Sequence, residues 1–268
     1  MNKRAVCVGI NNYPGDYNDL NGCVNDANDW ASLLGNDFGY EIDKILDEAA
    51  TKSSMLGALE SLVNDADDDD LLVFTYSGHG SWEYDKPGNP DESDNRDETL
   101  CAYDGNILDD EIRILLKQRP TNAHLTIISD SCHSGTVTRA RLIHERDAGT
   151  AADPQSAPKP RYMPPENDLD AMRTWLLPIR NRALYPETGM AELLLTGCNA
   201  LEYSYDAYIS GRYNGAMSAL TIGLIKSNPN VTYRELHRNL RELLPTAQYP
   251  QSPQLEGTDA NKDRGLFK

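Results

Sequence analysis

Leu71-Leu72-Val73-Phe74-Thr75-Tyr76-Ser77-Gly78-His79-Gly80 is a continuous apolar and β-branched run that breaks into a polar, glycine-punctuated loop. A run without hydrophobic alternation is what a central parallel strand needs, because both of its faces are covered. Leu125-Thr126-Ile127-Ile128-Ser129-Asp130-Ser131-Cys132-His133-Ser134-Gly135 has the same build. One of these strands ends near a histidine and the other near a cysteine.

The flanking sequence supplies the rest of a layered α/β domain. Residues 4–11 read as another buried strand, and residues 42–46 as a short one. Val24, Ala27, Ala31 and Leu34 recur at helical spacing across 20–34, and Leu56, Leu59 and Val63 do so across 52–64. Asp67–Asp70 reads as a solvated turn, since like charges repel into water. An acidic loop follows the first histidine, then a helix over 109–117. From 140 to 188 the texture changes to seven prolines, scattered arginines and little periodicity, which predicts an exposed connection. Regular structure resumes with a strand over 192–196 and helices over 214–226 and 232–244. Strands alternating with helices define one α/β domain. It divides into a larger part at 1–139, the connection at 140–188 and a smaller part at 189–268.

Composition narrows the function. The 268 residues carry a net charge of −17, which opposes nucleic-acid binding. Between Glu83 and Glu111 eleven carboxylates face only Lys86 and Arg96. No apolar run reaches membrane-spanning length. The N-terminal apolar stretch is too short for a secretory signal, so the expected location is the cytoplasm. Five scattered cysteines (7, 23, 101, 132, 198) without a CxxC pair indicate neither a zinc ribbon nor a disulfide framework.

Ligands of open α/β sheets bind beyond the carboxyl ends of the strands, where His79 and Cys132 are expected. A free thiol has a pKa of about 8.5 and is mostly protonated at neutral pH. A neighbouring imidazole can accept its proton and make sulfur a capable nucleophile. Amides around Gly78 and Cys132 would then hold the oxyanion of a tetrahedral intermediate. His133 is a rival base, although adjacent residues rarely converge on one reacting atom. A metal site from His79, Cys132 and His133 lacks an evident fourth ligand.

At these residues the sequence resembles the metacaspases, including the prokaryotic members called orthocaspases. The resemblance runs through Val8-Gly9-Ile10-Asn11-Asn12-Tyr13, Leu20-Asn21-Gly22-Cys23-Val24-Asn25-Asp26-Ala27 and Tyr76-Ser77-Gly78-His79-Gly80-Ser81. It continues through Leu108-Asp109-Asp110-Glu111, Asp130-Ser131-Cys132-His133-Ser134-Gly135 and Asn214-Gly215-Ala216-Met217-Ser218. The 53-residue spacing of His79 and Cys132 agrees with the caspase pattern. The resemblance implies a three-layer α/β/α sandwich around a mostly parallel sheet and a monomer acting on protein substrates. It also implies cleavage after arginine or lysine, from a pocket at Cys23, Asp26, Ser77 and Asp130. Two partly desolvated carboxylates suit a guanidinium through charge-assisted contacts.

In some members calcium activates through carboxylates matching Asp97, Asp109 and Asp110. Arg139 stands where a further family aspartate would be, and a cation there opposes Ca2+ binding. Otherwise Asp109-Asp110-Glu111 is simply acid at a helix start. Arg141, Arg146, Lys159, Arg161, Arg173, Arg180 and Arg182 make the connection a candidate self-cleavage region. The alternative is a catalytically silent caspase-like scaffold. The presence of His79, Cys132 and the acidic pocket positions counts against it, and the lack of a phosphate loop counts against a nucleotide binder.

Overall fold

The computed structural model describes residues 1–84, 96–120, 122–132, 158–164, 190–199 and 202–268. Its strands are β1 (Lys3–Gly9), β2 (Glu41–Leu46), β3 (Leu71–Ser77), β4 (Gly80–Tyr84), β5 (Arg96–Ala102) and β6 (Gly105–Leu108). They continue with β7 (His124–Asp130), β8 (Lys159–Pro160), β9 (Leu193–Thr196), β10 (Tyr205–Ile209), β11 (Arg212–Gly215) and β12 (Gln254–Glu256). The helices are α1 (Cys23–Ser32), α2 (Lys52–Asn64), α3 (Asp109–Leu116), α4 (Ala216–Ser227), α5 (Tyr233–Leu243) and α6 (Asp259–Lys262).

The central sheet has the order β12-β9-β7-β3-β1-β2, parallel except for β12. Side chains alternate across it. Ala5, Cys7, Leu71 and Val73 face one core with Ala27, Trp30, Ile222, Leu236 and Leu240 of α1, α4 and α5. Val6, Val8, Leu72 and Phe74 face the other with Met55, Leu59 and Val63 of α2. Each fully buried aliphatic side chain contributes about 1.5–3 kcal/mol, so two covered faces hold the sheet as a middle layer. Local signals agree with this packing. Thr232 accepts from Glu235 N at 3.2 Å and Glu235 returns a bond to Thr232 N at 2.9 Å, a capping box at the start of α5.

Three sequence expectations change. The acidic stretch after His79 contributes an antiparallel sheet, β4-β5-β6, where a loop was expected. Its polar residues pair through the backbone, so hydrophobic periodicity does not report it. Asp70 is buried rather than solvated, accepting from Asn2 N at 2.5 Å and Asp67 N at 3.0 Å. These two amide bonds hold its carboxyl below the usual range. Most of 140–188 lies outside the described residues. The described piece, 158–164, is not an exposed connection: β8 pairs with β10, and Arg161 is fully buried.

Candidate active site

The register between β3 and β7 builds the site. Ser77 pairs with Asp130 at the carboxyl ends of these two strands. His79 and Cys132 each follow two residues later, so equal offsets carry both loops to one edge of the sheet. The loops touch at the backbone. A Cβ at Gly80 would lie 1.5 Å from the Cys132 carbonyl oxygen, so only glycine permits this approach.

His79 is buried and held on both sides. Its N–H donates to Tyr13 Oη at 2.9 Å, and its carbonyl accepts from Tyr76 Oη at 2.6 Å. Its Nε2 lies 2.6 Å from the Asn18 carbonyl, which fixes Nε2 as the protonated nitrogen. Nδ1 therefore carries the free lone pair, and it has no hydrogen-bond partner among the described residues. Burial pushes the imidazole down to about 4; the Lys159 and Arg161 charges add to this and the Asn18 carbonyl opposes it. His79 is thus neutral at pH 7. Cys132 is also buried, with Ser204 N–H donating to its Sγ at 3.0 Å. His133, the rival base, lies outside the described residues, as does Arg139.

The four expected pocket residues converge, and the chain itself fills the space between them. Arg161 Nη2 donates to Asp26 Oδ2 at 2.7 Å and Asp206 Oδ1 at 3.1 Å. Nη1 donates to Ser77 Oγ at 2.6 Å and the Asp130 carbonyl at 3.0 Å, with Asp130 Oδ2 at 3.5 Å. Cys23 sits beside them, and burial pushes its thiol well up. Each carboxylate is also braced by backbone. Gly215 N donates to Asp26 at 2.9 Å, Ser218 N to Asp130 at 2.8 Å, and Asn21 N and Gly22 N to Asp206 at 2.8 and 2.9 Å. Gly215 leaves room for the ion pair, since a Cβ there would lie 2.1 Å from Asp130 Oδ2 and 2.5 Å from Arg161 Nη1. Burial raises the Asp26 carboxyl to about 6, with Arg161 opposing and Asp130 adding. Three buried carboxylates without a cation would repel each other and lose hydration, so the Arg161 guanidinium holds the cluster together.

The backbone of Arg161 is held as firmly as its side chain. Its N–H donates to the Ser204 carbonyl at 2.9 Å. Its carbonyl accepts from Gly80 N at 3.0 Å and Cys132 N at 3.3 Å. The two converging amides are those of Gly80 and Cys132, a correction to the expected pair of Gly78 and Cys132. The N–H following the histidine, not the one preceding it, points at the carbonyl.

Sequence reasoning also missed Asp206 and Asn18. Asp206 is one polar residue in a tyrosine-rich stretch with no motif around it, and Asn18 acts through its carbonyl, which no side-chain pattern reports.

Two of the expected calcium residues already face a cation. Asp109 Oδ2 and Asp110 Oδ1 are both bonded by Arg113, at 2.7 and 3.0 Å. Among the described residues no group of three or more His, Cys, Asp or Glu side chains is arranged to hold a metal. Nor is any described helix long and apolar enough to cross a membrane.

A parallel sheet that brings a histidine and a cysteine together beside an anionic pocket defines a caspase-like α/β/α protein. Solved structures share the fold. One, a protein of Geobacter sulfurreducens, superposes with a TM-score of 0.73 at 23% identity, covering 100% of this chain and 99% of that one. Caspase-1 of Spodoptera frugiperda gives 0.54 at 11% identity, covering 96% of this chain and 86% of that one.

The metacaspase peptidase C14 domain matches residues 3–140. Metacaspase-1 of Scheffersomyces stipitis is 30% identical over 94% of this chain and 70% of its own length. Metacaspase-1 of Botryotinia fuckeliana is 32% identical over 94% of this chain and 67% of its own. The chain belongs to the metacaspase family and is a cysteine-type peptidase.

Proposed function

We propose that this peptidase is an endopeptidase that cleaves after arginine, and less readily after lysine, and that it processes itself at the Arg161–Tyr162 bond. One observation carries the reading. Arg161 occupies the anionic pocket while its own carbonyl accepts from the amides of Gly80 and Cys132. A side chain in a specificity pocket and a carbonyl between paired amides are the two anchors that a scissile residue requires.

Cys132 Sγ attacks the carbonyl carbon, and His79 Nδ1 takes the thiol proton. The Gly80 and Cys132 amides hold the oxyanion. His79 returns the proton to the leaving amine, and a thioester forms. Water, deprotonated by the same nitrogen, then releases the acid and restores the thiol. Holding Nε2 on Asn18 keeps the imidazole in the tautomer whose Nδ1 can act as base. Lysine, a single ammonium without the planar fork, cannot bond Asp26, Asp206 and Ser77 together as Arg161 does.

The test is hydrolysis of coumarin peptides ending in Arg, Lys or Asp, against the Cys132→Ala chain. Rates should fall in the order Arg, Lys, Asp and vanish in the variant. Thiol-independent hydrolysis, or preference for Asp, would overturn the reading.

A further inference from the structure

The chain does not stop at the pocket. Beyond Arg161, Met163 N–H donates to the Gly80 carbonyl at 3.0 Å, and Tyr162 bridges to Gly80 in parallel. The Tyr162 side chain thereby enters a cleft on the leaving-group side of the bond. Two residues past Gly80 on β4, Trp82 Nε1 donates to Tyr162 Oη at 3.1 Å. The Tyr203 ring flanks it, with centroids 5.8 Å apart and planes inclined at 58°. Trp82 and Tyr203 are buried, whereas Tyr162 is half-buried, so the cleft is open on its outer side. Tyr203 directly precedes Ser204, whose amide and carbonyl hold the Cys132 thiol and the Arg161 N–H. The aromatic wall is therefore fixed to the reacting centre.

We infer that Trp82 and Tyr203 form a subsite selecting an aromatic, hydroxyl-bearing residue immediately after the scissile bond. This inference rests on the proposed cleavage at Arg161–Tyr162. The physical basis has two parts. An aromatic ring covers the Tyr203 face, and offset or tilted ring pairs are favourable. A phenolic oxygen accepts from the Trp82 indole N–H. A small side chain loses both contacts, and phenylalanine loses the second. The preferred substrate class is thus a peptide carrying Arg-Tyr across the bond, with the chain's own Pro158-Lys159-Pro160-Arg161-Tyr162-Met163-Pro164 as its template.

The test compares that heptapeptide with versions holding Phe or Ala in place of Tyr162, cleaved by the self-processed enzyme and quantified by mass spectrometry. Tyrosine should exceed phenylalanine by roughly three- to tenfold in kcat/KM, and alanine by more than tenfold. In the Trp82→Phe enzyme the Tyr-to-Phe ratio should fall to about one, while the preference for Phe over Ala persists. A chain carrying Cys132→Ala, Arg161→Ala and Tyr162→Ala, which empties both positions, reads the same subsite without catalysis, through fluorescence anisotropy of labelled peptides. Its affinities should follow the same order. Equal cleavage and equal binding of the three peptides would overturn the subsite. Coumarin substrates, which carry no residue after the bond, separate the failures. If they are cleaved after arginine while the three peptides are treated alike, the subsite is wrong and the peptidase reading stands. If they are not cleaved and the binding order holds, the subsite stands and the peptidase reading fails.

Discussion

The molecule contains two arginine–carboxylate clusters of similar chemistry in opposite surroundings. Arg113 bonds Asp109 and Asp110 on the first turn of α3 and is 41% exposed. Arg161 bonds Asp26, Asp130 and Asp206 with 0% exposure. The distances overlap, so geometry does not separate the two clusters; solvent does. At the α3 cluster, water and salt screen the charges, and such pairs contribute about 0–1 kcal/mol. In the buried cluster neither ion has water to return to while the cleft stays closed, so losing one partner costs about 3–5 kcal/mol. The α3 cluster therefore decorates a helix start, while the buried one is the proposed specificity pocket.

Removing one carboxylate from each cluster sharpens this contrast. Asp26→Asn should lower kcat/KM on arginine coumarin peptides about a hundredfold or more, mainly through KM. Asp110→Asn should change it less than about twofold. Equal effects would erase the distinction.

An intermediate effect comes from pH, read as the rate of self-cleavage. A base must be neutral, and His79 takes up its proton only near 4, after Asp26 near 6. Both groups lose their working form as pH falls. The acid limb should therefore begin at about pH 6 and deepen toward 4. A midpoint at or above 6.5, the ordinary imidazole value, would contradict a buried His79.

The smallest effect is expected from calcium. Because Arg113 already bonds Asp109 and Asp110, adding Ca2+ or a chelator should alter coumarin hydrolysis less than about twofold. Strong stimulation would show that calcium displaces the guanidinium.

How much of this was legible beforehand depended on whether a side-chain pattern carries the signal. β3 and β7 announce themselves as unbroken apolar runs, and α2 by its spacing over 52–64, because burial imposes periodicity directly. His79, Cys132, Asp26, Ser77 and Asp130 stand out because motifs place them at strand ends or a helix start. The β4-β5-β6 sheet did not stand out, since its ladder is made by backbone groups under acidic side chains. The Gly80 amide and the Asn18 carbonyl act through the main chain and leave no trace in residue type. Arg161 was one basic residue among seven in a proline-rich stretch. Only its partners, 31 to 135 residues away, distinguish it from the others.

The most direct test of the central claim is mass spectrometry of the full chain incubated alone, beside its Cys132→Ala counterpart. Cleavage should yield one fragment ending at Arg161 and another beginning at Tyr162, with the variant intact. Cysteine-dependent cleavage at another residue with the Arg161–Tyr162 bond preserved, or no cleavage at all, would contradict it.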